Sequence, residues 1–375
     1  MTELSGLPGS EGYADCDDAE SEGFLFVATK RNPSGIYRYK EEPPLTSIGI
    51  IANPASGKDI RRLVSYATTI DNNEKVNICK RIVLAAQGMG VDEAVFMPDT
   101  FMIGYAVKDS LEDDGVLRAG LSLLDFELEA TMDDTVRAAR MMVERGVGCV
   151  VVLGGDGTSR AAAKAIGDTP MLSISTGTNN VYPAMMEGTV AGMAAAAAAL
   201  MDDPYECCIH DKKITVYVNG EARDIALVDA VVSDDFYAGA KAIWDPERIR
   251  RIAVTRCHPA TIGFSAVAGA YEIVEDTDDF GLAITLGSEG EGVLAPIAAG
   301  VLTPVRVSDA RRVELGEEYA FTAESRCMIA LDGEREVRVQ PGDEVKFVIN
   351  RDGPWRVVPR RILARASELG MYRIK

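Results

Sequence analysis

The sequence predicts an α/β half followed by a β half: a parallel sheet with crossover helices, then a β-rich, sandwich-like domain. Three observations carry this. From residue 47 to about 203, short apolar runs alternate with amphipathic stretches of helix length, the pattern of parallel strands joined by crossovers. After residue 204, strand-length runs follow one another between short polar turns. Two of those turns, Asn219-Gly220 and Asp332-Gly333, are strong hairpin signals. The expected organisation is an N-terminal extension over 1–46, an α/β domain over 47–203 and a β-rich domain over 204–375 with a C-terminal helix.

Residues 1–22 are acidic and rich in Gly and Ser, which predicts a loose tail, so the extension is expected to be partly disordered. A short strand over 24–29 is broken off by Pro33, Gly35, Pro43 and Pro44. The first sheet strand is expected at 48–52, followed by a helix over 59–70. A helix containing 82–87 precedes a strand within 91–97, and 121–130 alternates loosely enough for another. Residues 133–145 read as a helix, with Asp133 and Asp134 at its positive end and Gly146 as its stop. The β-branched run 149–153 is expected to be a strand buried on both faces. A helix over 159–166, a strand over 171–174 and an alanine-rich helix around 194–199 follow. In the second half, strands are expected at 214–218, 221–232, 251–255, 282–286, 305–307, 319–323, 327–331, 336–339 and 344–349, with a closing helix over 360–369. The small-residue run Gly263–Gly269 fits close packing or substrate contact equally.

Composition narrows the partners. With 39 Lys and Arg against 58 Asp and Glu, the net charge is −19. That disfavours nonspecific binding of nucleic acid or of an anionic membrane face, while leaving room for a local phosphate site. No apolar run reaches the ~20 residues of a membrane span. Seven scattered cysteines without a paired spacing suggest reduced thiols in a cytoplasm. Cys207, Cys208 and His210 lack a second ligand pair at metal spacing, so a zinc site is not expected. Only two histidines are present, and neither sits in a nucleophile motif. An Asp or Glu base is the better expectation for an enzyme.

Three polar loops follow three predicted parallel strands. Gly154-Gly155-Asp156-Gly157-Thr158 combines glycines that let phosphate oxygens approach the backbone with a helix start that favours anions. Asp156 could accept a hydroxyl proton. Taken alone, the loop reads equally well as a plain strand-to-helix turn. Thr176, Gly177, Thr178, Asn179 and Asn180 can hydrogen-bond ribose or phosphate without adding charge, or simply cap a turn. Asn53 and Ser56, with Gly57, could contact a nucleotide, and Lys58 a phosphate. Loops after parallel strands open on one sheet edge, and that convergence favours a ligand site over three unrelated turns.

These segments, with Leu331-Asp332-Gly333-Glu334 and Pro341-Gly342-Asp343-Glu344-Val345 further on, resemble the ATP-NAD kinase superfamily, which includes the diacylglycerol and sphingosine kinases. Residues 53–62 and 174–183 look closest to its acetoin-catabolism X-type branch. The likeness runs in order over roughly 47–350. It implies a Rossmann-like nucleotide-binding domain, a β-rich domain of NAD kinase/diacylglycerol kinase type and a nucleotide cleft. It also implies ATP with Mg²⁺ as cofactors, Asp156 as base on an acceptor hydroxyl, and the loop glycines and Thr158 along the phosphates. The acceptor would be a small molecule or a nucleotide such as NAD, in a protein that could form a homo-oligomer. The sequence departs from the pattern where NAD kinases carry an Asn-Glu pair. Ala226-Leu227-Val228-Asp229 aligns there, Val228 cannot replace the amide, and Asp229 keeps a shorter carboxylate. Glu334 matches a candidate catalytic glutamate of the lipid kinases, although the acidity counts against a membrane acceptor. The rival reading is a non-catalytic nucleotide sensor of a catabolic pathway.

Overall fold

The computed structural model describes residues 45–56, 70–177, 179–234 and 246–374. Gly57, Lys58, Thr178, the expected helix over 59–70 apart from Ile70, and the extension up to residue 44 with its expected strand lie outside them.

The first half alternates as expected. β1 (Ser47–Ala52), α1 (Asn72–Met89), β2 (Glu93–Phe96), α2 (Ile103–Asp113), β3 (Gly120–Leu123), α3 (Met132–Glu144), β4 (Cys149–Gly154), α4 (Asp156–Ala163), β5 (Met171–Ser175) and α5 (Gly188–Leu200) follow one another. The strands lie in the order β3-β2-β1-β4-β5, each neighbouring pair parallel. Winding therefore reverses between β1 and β4, the place where such sheets bind ligands beyond their strand carboxyl ends. β1 and β4 are buried at every position, which is why their sequences run apolar without alternation.

Local chemistry sets the helix ends. The Asp71 carboxylate accepts the Glu74 amide at 2.8 Å, and Gly90, at φ 103°, closes α1 in the left-handed region. α2 was not expected from the sequence; Asp99 starts it by accepting the amides of Phe101 and Ile103 at 2.8 and 2.9 Å. The alanine face of α5 packs on α1 and the sheet, and a Cβ at Gly192 would strike the Ile82 carbonyl.

The second half comprises β6 (Cys208–His210), β7 (Lys213–Val218), β8 (Glu221–Ala226), β9 (Asp229–Ser233), β10 (Ile249–Val254), α6 (Phe264–Tyr271), β11 (Phe280–Ala298), β12 (Val301–Glu314), β13 (Glu318–Thr322), β14 (Cys327–Leu331), β15 (Glu334–Val339), β16 (Glu344–Asn350), β17 (Trp355–Val357) and α7 (Pro359–Glu368). Two antiparallel sheets, β12-β11-β10-β9-β14-β15 and β13-β16-β7-β8, enclose a core that includes Val216, Val232, Ile329 and Phe347. Asn219 and Gly220, like Asp332 and Gly333, take the paired positive φ that type I′ hairpins need.

Several expectations are corrected. The strand expected over 121–130 stops at Leu123, and the rest is loop. The stretch 221–232 is two strands, because Leu227 and Val228 leave the ladder and enter the core under the first sheet. The Gly263–Gly269 run, by contrast, meets the close-packing expectation: it is largely helical, as α6, and a Cβ at Gly269 would stand 2.5 Å from the His258 backbone. The 204–375 segment does not stay within the β-rich part. β17 pairs parallel with β5 and antiparallel with β6, widening the first sheet to seven strands. The α7 residues Ile362 and Ala366 then join the core beneath α5.

Candidate nucleotide site

The loops after β1, β4 and β5 meet at one sheet edge. Asn53 donates its side-chain amide to Thr158 Oγ1 at 2.9 Å, spanning the reversal point, and its own N–H binds the Leu153 carbonyl at 3.1 Å. Ser56 Oγ lies 3.0 Å from Thr176 Oγ1. Asn180 donates to Ser175 Oγ at 2.8 Å, and its Oδ1 lies over Gly155, 2.9 Å from where a Cβ would stand. Thus Asn53, Ser56, Gly154, Gly155, Asp156, Gly157, Thr158, Thr176, Gly177 and Asn180 form one constellation, with Asn179 in the same loop.

Gly154, Gly155 and Gly157 are not in the left-handed region, and side chains crowd the place a Cβ would take at each of them. A Cβ at Gly154 would stand 2.5 Å from Thr158 Cβ, and one at Gly157 would collide with the Glu334 carboxylate. α4 also starts three residues earlier than the sequence predicts, which places Asp156 in its first turn. The amides of Asp156, Gly157 and Thr158 precede any intrahelical acceptor, and the helix dipole makes that end attractive to anions.

Asp156 is held from outside its helix. Its Oδ1 accepts the amides of Val181 at 3.0 Å and Tyr182 at 2.8 Å, and its Oδ2 accepts Val181 at 3.1 Å. Glu334 reaches the same place from the β-rich part, through the turn that Asp332 organises. The Asp332 carboxylate accepts the amides of Leu227, Val228 and Asp229 at 2.8, 2.8 and 3.1 Å. Burial pushes the Asp332 pKa up, against Arg160 and those amides, which pull it down. Asp229 is nearly buried at the start of β9. Val228 is buried in the core under the first sheet.

Several residues of the site escaped the sequence reading. Lys75, fully buried, donates to the carbonyls of Asn53 and Ser56 at 2.8 and 2.7 Å and to Asn72 Oδ1 at 3.0 Å, tying down the loop after β1. Its signal was a lysine on the stripe Lys75, Ile78, Cys79, Ile82, where a helix shows its buried face. Arg160, equally buried, pairs with Asp224 at 3.0 Å and Glu334 at 3.4 Å, fastening α4 to the β-rich part. The loop between β3 and α3, where the sequence predicts strand as far as Ala130, lines a cavity through Leu128, Ala130 and Thr131. That cavity, of ≈ 260 Å³, lies between Asn53–Ala55, Met97–Thr100 and Leu128–Thr135. Pro54, Met97, Pro98 and Leu128 give it apolar walls, and Thr100 and Thr131 lie on it too. Ala130, at φ 56°, and Met102, at φ 61°, strain the two loops that flank it.

Comparison with known proteins shows the family. Residues 48–205 match the ATP-NAD kinase N-terminal domain, and residues 212–352 match the acetoin catabolism protein X C-terminal domain. The chain is 37% identical over 316 residues to acetoin catabolism protein X of Cupriavidus necator, spanning 81% of this chain and 87% of that protein. It belongs to the acetoin catabolism protein X family. Among solved structures, yeast NADH kinase complexed with NADH matches at 14% identity and TM-score 0.48, over 93% of this chain and 94% of that one. A candidate diacylglycerol kinase from Bacillus anthracis str. Sterne matches at 10% identity and TM-score 0.43, over 85% and 100%. In this member of the acetoin catabolism protein X family no helix of the described residues is long and apolar enough to cross a membrane. The six described cysteines are free and buried, and His210 is stacked 4.3 Å from the Trp355 ring.

Proposed function

We propose that this chain is an ATP-dependent kinase-like enzyme that phosphorylates a hydroxyl of a small molecule or nucleotide. One observation carries the reading. Asn53 lines the cavity, where Asp99 and Asp134 stand beside the apolar walls, and also grips Thr158 of the phosphate loop, so a base slot and an anion site share one residue at the reversal point. A flat heterocycle suits the apolar walls, and the phosphates would then extend over Gly154–Thr158 toward the positive end of α4. Ser56, Thr176, Gly177 and Asn180 would take ribose or phosphate oxygens, as would Gly57, Thr178 and Asn179.

Phosphoryl transfer depends chiefly on positioning and charge neutralisation. Asp156 would accept the acceptor's proton, its carboxylate aimed by two amides. Mg²⁺ would arrive on the ATP phosphates and neutralise their charge, with Asp156 and Glu334 the nearby carboxylates able to hold it. Asp229 belongs on the acceptor side. The buried Val228 argues against the NAD kinase manner of gripping a dinucleotide.

A second reading, nucleotide binding without turnover, is favoured by one feature: both Asp156 oxygens already accept backbone amides, which occupies positions from which the carboxylate would take a hydroxyl proton. ATP consumption with a panel of hydroxyl acceptors separates the two. For the enzyme, Asp156→Asn is expected to cut turnover by about 10²–10⁴-fold with the circular dichroism unchanged. An unaltered rate in that variant removes Asp156 as base, and binding of ATP without consumption by the native chain establishes the sensor.

A further inference from the structure

Tyr182 serves two partners at once. Its backbone N–H holds Asp156 Oδ1 at 2.8 Å, and its hydroxyl donates to Asp211 Oδ2 at 2.7 Å. Asp211 is completely buried between β6 and β7. It receives Arg256 Nη2 at 2.8 Å and the fork of Arg356, Nε at 2.8 Å and Nη2 at 3.2 Å. Arg356 also pairs with Asp276. Both guanidiniums lie over the Tyr182 ring, at 5.2 and 5.8 Å from its centroid.

Filling this space would take only a phenylalanine and an apolar neighbour. A buried ion group is instead costly, and it is weak as a source of stability. What it supplies is a fixed address. Asp211 enters from the turn between β6 and β7, Arg256 from just beyond β10 and Arg356 from β17, so three distant segments meet around one tyrosine. We propose that Tyr182 is a positioning residue for Asp156: the Asp211–Arg256–Arg356 group fixes the ring, and the ring fixes the amides at 181 and 182 that aim the carboxylate. The proposal rests on the kinase-like reading of the site.

Tyr182→Phe removes the hydroxyl and keeps the ring and the amide. Two measurements on the full chain test it. Hydrogen exchange at the amides of positions 181 and 182 should rise by about tenfold or more, with β4 unchanged. In steady-state ATP turnover, kcat should fall by about tenfold or more while KM for ATP stays within about twofold. Arg356→Lys keeps the charge and loses the fork on Asp211; it should move both readouts the same way by less, and it serves if Tyr182→Phe no longer melts cooperatively. Unchanged exchange in the variants overturns the tether, and faster exchange with an unchanged kcat overturns the positioning role. If the native chain consumes no ATP with any hydroxyl acceptor, the kinase-like reading fails and the positioning role falls with it. An active native chain with insensitive variants sinks the positioning alone.

Discussion

The Lys75 ammonium bonds two carbonyls of the loop after β1 and the Asn72 side chain of its own helix, joining α1 to that loop. Replacing Lys75 by methionine keeps the bulk and removes the shared donor, while the Asn53 carbonyl keeps its bonds from the Ser56 amide and hydroxyl. Lys75→Met is expected to destabilise the protein by about 1–3 kcal/mol in all, read from urea denaturation. Nucleotide affinity should fall as the Asn53–Ser56 loop loosens. At this scale the sequence was legible where a residue type suits a loop, as with Asn53, Thr158 and Thr176. It was opaque where a bond joins remote segments. Nothing near Tyr182 announces Asp211, 29 residues on, and nothing near Asp211 announces Arg356, 145 residues further. Asp332-Gly333 read as a complete explanation of a turn, yet its carboxylate also organises Leu227, Val228 and Asp229.

Helix α5 shows how little side chain an element can need. Its stripe of alanines lets it lie close on α1, and Gly192 removes the last obstacle at the Ile82 carbonyl. Gly192→Val puts a branched side chain against main chain that cannot yield. It is expected to cost about 1–3 kcal/mol, seen as a lower thermal midpoint, with the β-rich part keeping its strand signal. Elements with strong periodicity or strong stops were legible: α3 between its acidic start and Gly146, and β14 to the residue. The misses have physical causes. The strand expected over 221–232 breaks because three amides turn to Asp332 in place of a neighbouring strand. β11 and β12 run on past their apolar cores because each is the other's partner along nearly its full length, through bulges that periodicity does not show.

For the whole molecule, buried charge gives a titration test. Burial, with the Arg256 and Arg351 guanidiniums, lowers the Lys212 pKa from 10.5 to about 8. Between those values the unfolded chain binds more protons than the folded one, so the contribution of this group to stability rises with pH from about 8 to about 10.5. The stability of the native chain minus that of Lys212→Met should therefore shift in favour of the native chain between pH 7.5 and pH 10, where guanidine denaturation can follow it. A flat difference would show that the Glu275 and Phe280 carbonyls, 3.1 and 2.7 Å from the ammonium, keep it charged throughout. The two-part plan was legible at this scale, because the switch from alternating elements to hairpins is written in the order of the runs. The return of β17 and α7 to the first sheet was not, since a three-residue strand carries no period.

That return also governs the order in which the protein can fold. β5 finds its outer neighbour, and α5 the helix beneath it, only in residues that leave the ribosome after the entire β-rich part. The outer edge of β5 and the side of α5 that meets α7 therefore gain their cover only through very long-range closure, after a chain segment as long as the whole β-rich part has been placed, and that is the slow kind of contact to form.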